Sequence, residues 1–105
     1  MIHELKIMTK YFEEVTAGTK TFEVRKNDRC FMTGDLLALN EYDGKDYTGK
    51  SCLVYVDYVL SDSGYCKEGY VIMTIKPCGI YRYENPFNPN KMCADYRVPI
   101  ITREF

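Results

Sequence analysis

The chain has 105 residues, with 14 lysines and arginines against 15 acids and a formal net charge of −1. So short a chain makes one domain, and so even a charge excludes a global field that would draw in nucleic acid, leaving local clustering as the source of any anion site. Ten tyrosines and five phenylalanines with no tryptophan suit β-structure, where aromatic pairs brace neighbouring strands.

Residues 3–7 predict a short first strand. Thr9 is placed to cap a helix over 10–17, with Tyr11, Phe12 and Val15 on one side and Glu13 and Glu14 on the other. Gly18 supplies the left-handed position that ends it. A strand over 20–25 follows, and here the pattern carries most information. Phe22 and Val24 alternate with Glu23 and Arg25, and side chains two apart on a strand share a face, roughly 7 Å from each other. The alternation predicts Phe22 and Val24 in a core, with Glu23 and Arg25 turned together toward a cleft and Lys20 at the turn before them. Arg25, Lys26 and Arg29 add a local basic cluster.

Thr33-Gly34-Asp35 turns into an apolar strand over 36–42, and Asp43-Gly44-Lys45-Asp46 reads as a hairpin turn. The returning strand runs over 50–60. Its alternation places Cys52, Val54, Val56 and Tyr58 on one face and Leu53, Tyr55, Asp57 and Val59 on the other. A loop rich in turn residues separates it from a strand over 70–76. Beyond Pro77 the composition changes: residues 85–90, Asn-Pro-Phe-Asn-Pro-Asn, exclude regular structure. Residues 98–102 are apolar enough to return to the body, with Pro99 suited to an edge strand.

The cysteines stand at 30, 52, 66, 78 and 93. None has a partner two or three positions away and the single histidine is His3, so the spacing does not suit a zinc site. The odd count, and the lack of a recognisable secretory leader, predict reduced thiols in a cytoplasmic protein, most of them buried as small hydrophobes. No run approaches the ~20 apolar residues of a membrane span.

Gly18-Thr-Lys20-Thr-Phe-Glu23-Val-Arg25 is a Gly-x-Lys-x-x-Glu-x-Arg pattern, which resembles the signature of ASCH domains in the PUA-like superfamily. The opening at 2–7, the helix around Tyr11 and Phe12, and the segments Gly34-Asp35-Leu36-Leu37, Glu41-Tyr42-Asp43, Tyr47-Thr48-Gly49 and Gly69-Tyr70-Val71-Ile72 are similar to a small ASCH-like family of bacteria and phages, the DUF3850 type. The likeness covers about residues 1–77, and residues 78–105 depart from it as a C-terminal extension of the single domain.

The resemblance implies an α+β fold, a small PUA-like mixed β-barrel of about five or six strands with one or two flanking helices. It also implies an RNA or nucleotide-like partner in a cleft lined by Lys20, Glu23 and Arg25, with Lys26 and Arg29 extending the charge, and no cofactor. In that reading Arg25 and Lys20 engage phosphate or base edges, and Glu23 orients Arg25 or accepts from a base amino group. The bland alternative is a surface ion pair on a strand, worth about 0–1 kcal/mol, beside a solubilising basic cluster. Tyr42, Tyr47, Tyr55, Tyr58 and Tyr70 read mainly as core or cross-strand partners, with one or two near the cleft able to stack on a base.

A second function stays open. Some compact ASCH relatives resemble amidohydrolases of acylated cytidine with a lysine, a threonine nucleophile and a glutamate. Lys20 matches that lysine, but Glu23 occupies the threonine position, where a carboxylate does not repeat the same acyl transfer. Thr21 lies in the neighbouring register, and nothing in the spacing demands Glu41 as an acid or base. A protein-interaction module of phage or host is the third reading, suited to the Pro/Asn-rich tail.

Overall fold

A computed structural model describes residues 1–84 and 86–89, together with the backbone of 99–103. Among the described residues seven elements follow in chain order: β1 (Ile2–Met8), α1 (Thr9–Thr16), β2 (Phe22–Lys26), β3 (Leu36–Tyr42), β4 (Tyr47–Leu60), β5 (Tyr70–Tyr83) and β6 (Pro99–Arg103). They form one sheet in the order β1-β3-β4-β5-β2, with β6 also on β5. β1 runs parallel to β3 and every other pairing is antiparallel. The result is a small mixed α+β fold.

β1 and β2 are opposite ends of the strand order, yet the Arg25 Nη2 of β2 donates to the Lys6 carbonyl of β1 at 2.8 Å. Arg29 Nη1 makes the same kind of contact to the Glu4 carbonyl at 2.9 Å. The sheet therefore curls into a half-barrel whose edges meet. The two guanidinium groups satisfy carbonyls on the edge of β1 that faces away from β3, as an edge strand in a folded chain requires.

The concave face holds the core: Leu5 and Ile7, Leu37 and Leu39, Cys52, Val54 and Val56, then Val71, Met73, Ile75 and Ile80, closed by Phe12 and Val15 of α1 and by Phe31. Thr9 starts the helix rather than capping it. The cap position is Met8 and carries no side-chain hydrogen bond.

Two long strands keep this core continuous by breaking their own alternation. In β4 the register shifts between Val56 and Tyr58, so Tyr58 turns outward while Val59 packs against the core. That reverses the faces expected from strict alternation, since an extra residue at a bulge moves everything beyond it to the other face.

The strand expected to stop at 76 continues through Pro77 to Tyr83. β2 pairs with residues 70–74 and β6 with 80–83 on the side away from β4. Pro77 falls between those two partners, where no ladder bond is asked of it, and beside the second register shift. Residues 86–89 are irregular. The return of 98–102 is realised as the backbone of β6, with Pro99 opposite Tyr83.

Near the start of β4, Gly49 has φ 92° and is buried, and a Cβ built on it would lie 3.2 Å from the Tyr83 carbonyl oxygen. Gly49→Ala is expected to lower stability by about 1–2 kcal/mol through the left-handed backbone alone. Urea denaturation of the variant, with Gly44→Ala at an open turn position beside it, separates the steric part from the conformational one.

Candidate ligand-binding cleft

The register of β2 is set by its partner. Glu23 lies opposite Met73 and Arg25 opposite Val71, and Met73 and Val71 are both core residues on the concave face. Glu23 and Arg25 therefore point inward. Phe22 and Val24 share the outer face with Lys26, at 45% and 50% exposure, while Glu23 is only 3% exposed.

The expectation that Phe22 and Val24 would be buried is thus corrected. The period was right and the choice of buried face was wrong. Burying a carboxylate is costly unless it is paired and hydrogen-bonded, and here that condition is met.

The pairing is supplied from both sides. Beyond α1, Gly18 takes φ 81° and the Glu14 carbonyl accepts from the backbone N–H of both Thr19 and Lys20 at 3.0 Å. This turns Lys20 back toward the sheet. Its Nζ donates to Glu23 Oε1 at 2.5 Å and to the Phe22 carbonyl at 2.7 Å. It also lies 5.0 Å from the Phe22 ring centre and 5.7 Å from that of Tyr11, within cation–π range. From the opposite side Arg25 Nε donates to Glu23 Oε2 at 2.8 Å. Each carboxylate oxygen has its own cation, which fixes all three side chains.

The triad floors a cleft of about 530 Å³ at the seam between the two sheet edges. Lys6, Met8 and Tyr11 stand on one wall, Phe22 and Val24 on the other. Phe22, Val24, Met8 and Tyr11 are therefore exposed apolar groups around a concavity. With Lys6, Lys20 and Arg25 against Glu23, the lining carries three cations and one anion.

Lys20, Glu23 and Arg25 converge, whereas Lys26 and Arg29 do not line the cleft. Lys26 lies on the outer face of β2. Arg29 is held by the Glu4 carbonyl, with Asp28 Oδ1 4.0 Å from its Nε. The expected basic track is divided among an inner face, an outer face and a strand edge.

Lys6, Tyr11 and Phe22 also belong to the lining, and spacing alone did not single them out. Phe22 reads as core from its alternation and Tyr11 only as part of the apolar side of α1, and nothing local marks β1 as the strand whose free edge forms a wall. Of the tyrosines named as stacking candidates, none lines the cleft. Tyr42 lies under Lys6 Nζ at 4.7 Å and packs edge-on against Tyr47.

Thr21 lines a separate apolar cavity of about 40 Å³. Glu41 is buried, accepting from Thr48 Oγ1 at 2.7 Å with Lys50 Nζ at 3.6 Å. Burial pushes the Cys52 thiol up to about 12, with the Glu23 carboxylate adding to the rise, so this core cysteine is held as an inert thiol. Cys66 is buried as expected, but Cys30 and Cys78 are exposed, and Cys93 lies outside the described residues. Among the described residues no cluster of His, Cys, Asp and Glu is arranged to hold a metal, and no helix is long and apolar enough to cross a membrane.

A curled half-barrel with one short helix among the described residues, and an ion-floored cleft at its seam, defines a small β-rich α+β domain. The chain belongs to the family described as a domain of unknown function, DUF3850, which it matches over residues 2–75. It is also 38% identical over 72 residues to a protein of Escherichia phage P2 named "Uncharacterized 12.9 kDa protein in GpA 3'region". That alignment covers 69% of this chain and 65% of the phage protein, just under two thirds of the relative's own length.

Proposed function

We propose that the protein is a binding module of the ASCH type, in the PUA-like superfamily, and that its cleft takes a nucleotide-like unit of single-stranded RNA or of a small ligand. The observation that carries this reading is the joining of two exposed aromatic faces, Tyr11 and Phe22, to a fixed cation–carboxylate–cation floor in one concavity. Aromatic faces accept any base by stacking. The fixed ions supply the directional polar contacts that orient a ligand in an otherwise apolar pocket, and the volume is in the range of small-molecule sites.

The amidohydrolase reading has less support. Glu23 holds the position of the nucleophile with both oxygens engaged by cations. Tyr11 brings the only hydroxyl among the described lining residues, and Thr21 faces a different cavity.

Titration of labelled short single-stranded RNA pools and of nucleosides, at two salt concentrations, tests the proposal. Affinity for strands is expected to fall with salt at a slope of about −0.7 per phosphate contact, with few contacts. Arg25→Ala should weaken binding by about 1–3 kcal/mol and alter base preference, while Lys45→Ala in the distant hairpin turn leaves it unchanged. Equal losses from the two substitutions, or no binding at low salt, would reject the proposal in favour of a protein-interaction role.

A further inference from the structure

The two strand edges that face each other across the seam are phased by the ladder bonds at their ends. Ile75 N–H donates to the Thr21 carbonyl, and Asn27 N–H to that of Gly69. Bonded and unbonded pairs alternate in an antiparallel ladder, so Glu23 and Arg25 bond to β5 between those two ends. The main-chain groups of Phe22 and Val24 therefore point the other way, into the seam. The Phe22 carbonyl agrees with this phase, since it accepts from Lys20 Nζ. In β1, Leu36 N–H donates to the Met1 carbonyl, which turns the even residues to the seam. There the Glu4 and Lys6 carbonyls accept from Arg29 and Arg25.

Most seam-facing carbonyls of the cleft are thus taken. That of Lys6 holds Arg25, that of Phe22 holds Lys20, and Met8, as the helix cap, gives its own to the first turn of α1. The Val24 carbonyl has no partner among the described residues. Its N–H stands beside it on the same edge, in a residue that lines the cleft and is half exposed. Elsewhere the cleft is occupied by its own groups: Lys20 fills the space between the Tyr11 and Phe22 rings, and both oxygens of Glu23 hold cations. Val24 is where an unused acceptor and an unused donor lie side by side.

We infer that, on the nucleotide reading above, the base is held edge-on by the Val24 main chain, whose carbonyl takes a base N–H while its N–H donates to the acceptor next to it. Each of the four bases carries such a neighbouring pair on its Watson–Crick edge, the edge by which unpaired bases are commonly held. A base already paired has none to offer, so the site takes unpaired bases with an unblocked edge. An extended peptide fits less well. It asks for a main-chain pair at every second residue of the edge it joins, but the Phe22 carbonyl is taken and Lys26 lies outside the lining. One pair at one residue suits the edge of a single planar ring.

Calorimetric titration of the full chain tests the inference from the ligand side. The probes are the four nucleosides and their counterparts methylated at the donor: 3-methyluridine, 1-methylguanosine, N4,N4-dimethylcytidine and N6,N6-dimethyladenosine. The tightest-binding nucleoside is expected to lose about tenfold or more on methylation, the effect of a hydrogen bond lost with its partner left unpaired. Val24→Pro, set against Val24→Ala, tests it from the protein side. Both lose the valine side chain, but only proline loses the N–H, at an edge position where the ladder does not use it. The proline variant is expected to bind about fivefold weaker than the alanine one. The methylated probes need no variant and decide alone if Val24→Pro does not fold.

Equal affinity for the nucleosides and their methylated counterparts would overturn the inference while leaving the functional reading intact, and so would equal affinity of the two Val24 variants. Failure of every nucleoside and RNA pool to bind would overturn both. N-acetyl-trialanine amide binding as tightly as the nucleosides would assign the edge to an extended peptide and overturn the inference as well.

Discussion

Glu23→Ala is expected to lower the stability of the fold by about 3 kcal/mol, the low end of the cost of breaking a buried ion pair by removing one partner. The carboxylate is almost wholly buried, whereas the Lys20 and Arg25 side chains keep some contact with water. Part of the stranded charge can rehydrate, which holds the loss near the lower limit. A surface comparison is available in the Lys76–Asp57 pair, 3.5 Å apart with both side chains well exposed. Lys76→Ala should cost less than about 1 kcal/mol.

The more telling variant replaces the triad by hydrocarbon of similar size: Lys20→Met, Glu23→Leu and Arg25→Met together. Buried ionic groups exchanged for well-packed apolar residues are commonly neutral or stabilising. The triple variant should therefore recover most of the loss seen with Glu23→Ala while losing ligand binding altogether. Guanidinium denaturation of the three proteins checks it. A triple variant no more stable than Glu23→Ala would show that the triad holds the seam of the half-barrel together, chiefly through Arg25 and the Lys6 carbonyl, and would weaken its assignment to ligand.

Local pattern revealed the elements well and their faces less well. The strand over 36–42, the hairpin turn at 43–46 and the left-handed Gly18 follow from residue types acting through their nearest neighbours. Which face of β2 is inside does not. Its apolar pair, Phe22 and Val24, is the better candidate for a core by composition, but β2 is a five-residue edge strand whose register is dictated by the longer alternation of Val71, Met73 and Ile75 in β5. At that edge the side chains pointing inward are Glu23 and Arg25, which with Lys20 form the polar floor of the cleft.

Strand ends were lost for a similar reason. Pro77 and Asp57 are disruptive when only their own strand is considered. Each is accommodated beside a bulge, where the pairing pattern is already interrupted. Convergence of Lys20, Glu23 and Arg25 was legible because all three lie within six residues, directly after one turn. Lys6 was not, because its place in the lining depends on the curl that brings β1 to β2.

Asp35 shows the same limit at a structural centre, and it supports the second large effect. By sequence it is a turn residue after Gly34, and His3 is an ordinary polar group near the start of the chain. In the fold both are buried. Asp35 Oδ2 accepts from His3 Nε2 at 2.8 Å and from the Met32 backbone N–H at 3.0 Å. A carboxylate only accepts, so its partner nitrogen carries the ring proton. The His3 ring packs edge-on against Phe31, 4.8 Å between centres, and the Asp35 carbonyl accepts from Val56 N–H at 2.8 Å. One residue thus ties β1, the 31–35 turn and β4 together.

The hydrogen bond from His3 is the main cause that holds the Asp35 carboxyl below its ordinary range, against burial, which acts the other way. A carboxyl depressed in the folded state contributes stability that is complete above the unfolded value of about 3.9 and is lost as pH falls through the folded one. Asp35→Ala strands the His3 and Met32 donors and should cost about 2–4 kcal/mol at neutral pH, at about 1–3 per buried unsatisfied group. Asp35→Asn keeps one acceptor and should cost less. Urea denaturation at a series of pH values from 7 to 3 should show the wild-type protein losing this contribution below about pH 4, with the Asp35→Asn profile flatter in the same window. Parallel profiles for the two proteins would mean that the ionised carboxylate does not stabilise the fold, and that His3 and Asp35 act there only through their shape.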